Sequence, residues 1–229
     1  MFLLQAGVWK VVQWHSSIPS HSSDICGVHL PQSLSDLIDS LDASLERSLT
    51  ARQRSATVTL LISDIEGSTS RGVTLGDAVW SSVVQRHFDQ LERIADAHDG
   101  TVIKTMGDGA LIAFDSAVSG ARAAVEIQRA VEEPDLPDTY LVRVGVHTGE
   151  VVKTDDDYFG FTVNKTARLA AAAAGGQILV SDTVHALIAQ APEFTLGNPV
   201  SLDLKGLPGA HQAYSLTAAP LPAGRMGSS

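Results

Sequence analysis

Two aspartates stand where apolar runs stop. In TVTLLISDIEGST the run from Thr57 ends on Asp64, directly before a Glu-Gly-Ser-Thr turn, and in KTMGDGAL Asp108 sits between two glycines that join two short apolar segments. A carboxylate at the end of a buried strand is costly unless a proton or a cation shares its charge, and two converging carboxylates repel for the same reason. With no His or Cys beside them in the sequence, they are hard oxygen donors of the kind that hold Mg²⁺ or Mn²⁺ against substrate phosphates. Singly, Asp64 reads as a helix-capping acid and Asp108 as an ordinary hairpin residue; jointly they point to phosphoryl or nucleotidyl transfer. The turn after Asp64 supplies a glycine and main-chain N–H groups that can approach phosphate oxygens closely.

Other polar residues have spacings that fit the same chemistry. Lys104 precedes Asp108 by four positions in a strand otherwise apolar at 102, 103 and 106, so its side chain either snorkels from an edge or is aimed at something. In DDDYFGFTVNKTARL, Asn164 and Arg168 are four apart and share a helix face, on a helix that runs into alanines and stops at Gly175 and Gly176. An amide and a guanidinium so placed can grip a sugar and a phosphate, or form a plain solvated face. The acids at 155–157 also read as a polar turn.

The elements that must position these residues follow from periodicity. TVTLLIS is a continuous apolar strand; residues 75–98 give a helix with Val79, Val83, Val84, Phe88, Leu91 and Ile94 inward; TVIKTM and ALIAF form a hairpin about Gly107, Asp108 and Gly109. A helix follows with Ser116 as N-cap, then the strand LVRVGVHTG. The order βαββαβ is a ferredoxin-like, palm-like α+β core, carrying added C-terminal helices and strands. In that topology the third strand lies between the first two, antiparallel to both, so Asp64 at one strand end and Asp108 at the hairpin tip are neighbours about 4.8 Å apart in strand spacing.

Residues 1–32 read as a flexible N-terminal segment, 33–54 as an amphipathic helix and linker, 55–217 as the catalytic domain and 218–229 as a flexible tail. The helix stripe Leu34, Leu37, Leu41, Leu45 and Leu49 fits docking on its own domain or a short dimerising coil equally well. With a formal charge of −10 and no Lys or Arg run, the chain lacks the basic face that nucleic acid or an anionic membrane requires. Its opening apolar stretch is interrupted by Lys10 and falls short of the ~20 residues of a membrane span. One cysteine, Cys26, makes no internal disulfide, so a cytoplasmic setting fits.

The segments SDIEGST, KTMGDG, DYFGFTVNKTARL and LKGLPGAHQAYSL, in this order and spacing, resemble the catalytic domain of class III nucleotidyl cyclases, especially the soluble bacterial branch. The resemblance spans roughly residues 55–216. It implies that Asp64 and Asp108 bind two Mg²⁺ or Mn²⁺ ions per site, with the backbone carbonyl of Ile65 as an added ligand. Lys104 and Asp157 fall at the purine-reading positions, where a Lys with an Asp or Thr accompanies ATP, and a Glu with Cys or Gly usually accompanies GTP. Asn164 is similar in position to a ribose-orienting residue, Arg168 to one that stabilises charge on the reacting phosphate, and Lys205 to a triphosphate contact. The implied activity is conversion of ATP to cyclic AMP and pyrophosphate at sites shared across a homodimer. A diguanylate cyclase has the same core but a different hairpin motif. A guanylate cyclase and a catalytically silent, nucleotide-binding signalling module are the alternatives. Lys165 and Thr166 depart from the small or apolar residues common at those positions, and Asp156 competes with Asp157 as the base reader.

Overall fold

The computed structural model describes residues 2–5, 8–11, 54–132, 140–154 and 157–220. The chain divides into two units, Met1–Leu30 and Pro31–Ser229. In the first, β1 (Phe2–Gln5) and β2 (Val8–Val11) pair as an antiparallel hairpin, within a stretch where no regular element was expected. The helix expected over 33–49 lies outside the described residues, as does the tail beyond 220.

The second unit follows the order β3 (Arg54–Ile65), α1 (Ser68–Leu75), α2 (Asp77–Ala97), β4 (Gly100–Met106), β5 (Gly109–Phe114), α3 (Ala117–Val131) and β6 (Val142–Lys153). It continues through β7 (Tyr158–Phe159), α4 (Phe161–Ala172), β8 (Ile178–Ser181), α5 (Asp182–Ile188), β9 (Phe194–Leu196), β10 (Val200–Asp203) and β11 (Ala210–Ala218). The sheet order is β10-β11-β8-β6-β3-β5-β4, with β7 against β6 and β9 against β11. β5 lies between β3 and β4 and is antiparallel to both, which is the expected ferredoxin-like core. β8 adds to β6 in parallel through the α4 crossover.

Alternation along the central strands separates the two faces. Leu61, Ile65, Ile112, Phe114, Val142, Val144 and Val146 pack with residues of α2, α3 and α5; Leu60, Ile62, Leu111 and Val151 pack with Val163, Ala167 and Ala170 of α4. Leu60, Leu61 and Ile62 are wholly buried in succession, each contributing on the order of 2 kcal/mol by leaving water. Such a doubly covered strand reads as an unbroken apolar run.

Helix α3 starts where expected, the Ser116 hydroxyl accepting from the N–H groups of Val118 and Ser119. Helix α1 was not anticipated: it buries no residue, so no apolar stripe announces it. On α2, Val79 is 48% exposed rather than inward, and His87 occupies a core position in its place. In that turn Trp80 packs against the core in place of Val79.

Helix α4 lies unusually close to β6. A β-carbon on Gly145 would sit 2.3 Å from the Ala170 nitrogen and 2.6 Å from the Thr166 carbonyl oxygen. Only a residue without a side chain lets the helix backbone approach the strand this far.

Candidate active site

Asp64 is the penultimate residue of β3 and shares the α4 face with Leu60 and Ile62. Asp108 occupies the β4–β5 turn, where Gly107 takes φ 59°, a left-handed conformation that favours glycine. The two carboxylates meet as anticipated: they are 4% and 8% exposed, and the Ile65 N–H donates to Asp108 Oδ2 at 3.1 Å. Burial pushes the Asp64 carboxyl above its ordinary range, against the opposing pull of the Arg143 guanidinium. Asp108 is pushed up to about 6, first by burial and then by the charge of Asp64, while the Ser68 hydroxyl and the Ile65 N–H pull the other way.

This is a pair of anions held together in a dry place. Among the described residues, no three His, Cys, Asp or Glu side chains converge, so a cation here takes two carboxylates and completes its shell with main-chain or substrate oxygens. That oxygen-only donor set is of the kind that suits Mg²⁺ or Mn²⁺.

Lys104 reaches the α4 face through a bulge. Val102 is registered with Ile112 but Lys104 with Leu111, leaving Ile103 as the extra residue. Ile112 belongs to the face covered by α2 and α3, and Leu111 to the face covered by α4. Directly opposed residues share a face. Strict alternation would have put Lys104 on the side of Val102; the inserted residue turns it to the other. There Lys104 Nζ donates to Asp157 Oδ2 at 2.6 Å and lies 5.7 Å from the centre of the Phe159 ring.

Asp157 is itself fixed. Its Oδ1 accepts from the Tyr158 N–H at 2.8 Å, and its carbonyl accepts from the Thr154 N–H at 2.9 Å, closing the β6–β7 loop. Of the acids at 155–157, Asp157 is the one described, and it meets Lys104.

On α4, Asn164 and Arg168 are both half-buried. Arg168 Nη2 lies 3.8 Å from where a β-carbon on Gly206 would be, so the guanidinium borders the β10–β11 turn that carries the exposed Lys205. The departures at 165 and 166 have a local reason. Both residues are buried: Lys165 Nζ donates to Asp182 Oδ1 at 3.1 Å and the Thr166 hydroxyl donates to the Thr162 carbonyl at 2.7 Å. Lys165 thereby ties α4 to the start of α5, the Thr166 bond stays within α4, and Asn164 and Arg168 remain half-open.

The hydrogen bonds and contacts thus gather the anticipated residues into three groups: Asp64, Ile65 and Asp108; Lys104 and Asp157; Arg168 and the turn of Lys205. Two participants were missed. Arg143, whose Nη2 donates to Asp64 Oδ2, is a lone charge in the apolar run LVRVGVHTG. Ser68, which bonds Asp108, lies in the turn read only for its main-chain groups.

Residues 50–218 match the family model of the adenylate and guanylate cyclase catalytic domain. The chain belongs to that family. The cyclase domain is 34% identical over 134 residues to an uncharacterized protein of Mycobacterium tuberculosis, a match covering 58% of this chain and 45% of that one. It is 28% identical over 210 residues to the Trypanosoma brucei brucei receptor-type adenylate cyclase GRESAG 4.2, covering 71% and 36%. The chain therefore spans less than half the length of these relatives. Among solved structures, the adenylyl cyclase CyaB from P. aeruginosa superposes with a TM-score of 0.67 at 21% identity, over 76% of this chain and 100% of that one, which shows a shared fold. No helix among the described residues is long and apolar enough to cross a membrane.

Proposed function

We propose that this cyclase domain converts ATP to 3′,5′-cyclic AMP and pyrophosphate at two equivalent sites of a homodimer. The observation that carries the choice of base is the Lys104–Asp157 pair, a donor and an acceptor held 2.6 Å apart on the α4 face. Adenine offers ring-nitrogen acceptors and an exocyclic amino donor, which such a pair serves. Guanine's N1–H and N2–H₂ donors find no acceptor in a lysine at position 104, where a glutamate usually accompanies GTP. Without substrate, each charge of the pair satisfies the other, so neither is left buried and unpaired.

Asp64, Asp108 and the Ile65 carbonyl would hold two Mg²⁺ or Mn²⁺ ions, which when bound acidify the ribose 3′-hydroxyl and neutralise the triphosphate. Asn164 orients the ribose. Arg168 donates to the α-phosphate as negative charge grows on it, a charge-assisted contact that is stronger in the transition state than before it. Lys205, beside Arg168 on the β10–β11 turn, meets the β and γ phosphates. No side-chain nucleophile is needed. In the dimer, Asp64 and Asp108 of one subunit work with Lys104, Asp157, Asn164 and Arg168 of the other.

Purified protein given Mn²⁺ with ATP or GTP, followed by chromatographic resolution of the cyclic product, tests this reading. Cyclic AMP formed with the higher kcat/KM is expected; preference for GTP overturns the base assignment, and no product from either overturns the activity. Mixing Asp64→Ala with Arg168→Ala chains should restore activity that neither has alone.

A further inference from the structure

Several contacts hold helix α4 and the segment after it against the sheet, among them the Gly176 N–H to the Val142 carbonyl at 3.0 Å, and one lies at the metal half-site. Near its start, the Thr162 hydroxyl donates to the Glu150 carbonyl at 2.5 Å. At its middle it rests on Gly145. Beyond its end, Glu66 Oε1 accepts from the Gly175 N–H at 3.0 Å, across 109 positions of sequence. Glu66 follows Asp64 and Ile65 directly, and its own N–H donates to the Leu141 carbonyl at 2.8 Å, so the base of this link is fixed to the sheet.

The fit at Gly175 agrees with the contact. A β-carbon there would lie 2.3 Å from Glu66 Oε2 and 2.8 Å from Leu141 Cβ. The absence of a side chain at 175 leaves the room in which the exposed Glu66 docks. Arg168 sits one turn before the end of α4, so the link holds the segment that follows the helix bearing it.

We propose that Glu66 is a positioning residue that joins the metal-bearing turn of a subunit to that subunit's own α4. The inference rests on the shared-site reading above. Under that reading the two ends of the link serve different active sites: the Asp64 end serves one and the Arg168 end serves the other. Glu66 touches neither substrate nor reacting atoms; it acts through the placement of α4. A displacement of Arg168 by a fraction of an ångström lowers turnover more than substrate affinity, because its contact matters most in the transition state.

The test uses the mixed dimer of Asp64→Ala and Arg168→Ala chains, which has one working site. Its metals sit on the Arg168→Ala chain and its α4 belongs to the Asp64→Ala chain. Glu66→Ala is placed on the Asp64→Ala chain, where the neighbouring metal half is already dead. A fall in kcat of about tenfold with KM for ATP little changed is expected. Glu66→Gln, which keeps an oxygen for the Gly175 N–H, should retain most of the activity, and Gly175→Ala on the same chain should reproduce the loss from the other side of the contact. In the otherwise unmodified protein, Glu66→Ala should also hasten amide exchange at Gly175. A kcat within twofold of the parent mixed dimer, an effect seen only when Glu66→Ala is on the Arg168→Ala chain, or unchanged exchange at Gly175 overturns the proposal. If the parent mixture makes no product, the shared-site reading fails and the proposal falls with it.

Discussion

Asp64 and Arg143 are register partners on β3 and β6, and the guanidinium donates across the ladder to the carboxylate. The Asp64 side chain is 6% exposed and that of Arg143 is 25% exposed, so the arginine brings a solvated charge to a buried one. Without it, a carboxylate would stand alone in an apolar sheet.

Replacing Arg143 with Met should therefore cost about 3 kcal/mol of stability in urea unfolding without divalent ions, the toll of an uncompensated buried charge. The double variant Asp64→Asn with Arg143→Met should recover more than half of that loss. Full stability in Arg143→Met alone would show that Asp64 does not depend on its neighbour.

Gly145→Ala should push α4 off the sheet, since the added carbon has backbone atoms rather than a flexible side chain in its way. A loss of about 2–3 kcal/mol is expected from such overpacking, together with reduced kcat as Asn164 and Arg168 move. Thermal unfolding and steady-state kinetics on one preparation read both effects, and an unchanged melting temperature would contradict the close approach of the helix.

His87 gives stability a pH dependence. Burial lowers its pKa from 6.5 to about 4 in the folded chain. Between those values the unfolded chain binds a proton that the folded one excludes, so stability rises with pH across this window and is lost as pH falls through it. His87→Phe should remove up to about 3 kcal/mol of that slope between pH 4 and 7. His147, also lowered to about 4 mainly by burial, keeps its share in the variant. The slope is the quantity to compare. The Tyr140 hydroxyl loses its 3.2 Å partner at every pH and shifts the whole curve instead.

Base choice should follow the Lys104–Asp157 pair. Lys104→Glu with Asp157→Cys is expected to lower kcat/KM for ATP by about a hundredfold and to raise that for GTP, because each lost base contact is worth about 1–3 kcal/mol. Unaltered preference between the two nucleotides would place base recognition elsewhere.

The sequence made some of this legible and hid the rest for identifiable reasons. The run TVTLLIS and the glycines around Asp108 disclosed the core strands and the meeting of Asp64 with Asp108, because a continuous apolar stretch and a tight turn are local signals. The Ser116 cap was equally local. Arg143 was hidden because its partner depends on the β3–β6 register, which no short stretch encodes. Helix α1 escaped because it buries nothing, and Val79 was placed inward where its neighbour Trp80 is the residue that packs on the core. The burial of Lys165 became intelligible only once Asp182, on another helix, was seen beside it.

If Lys104 reads the purine as proposed, the extra residue at Ile103 ties that reading to strand length. Which flank of the sheet presents the ammonium depends on how many residues separate Gly100 from the hairpin as well as on their identity. Shortening that stretch by one would retain the lysine codon yet turn its product away from Asp157, so a deletion could undo the pairing with no substitution at either residue.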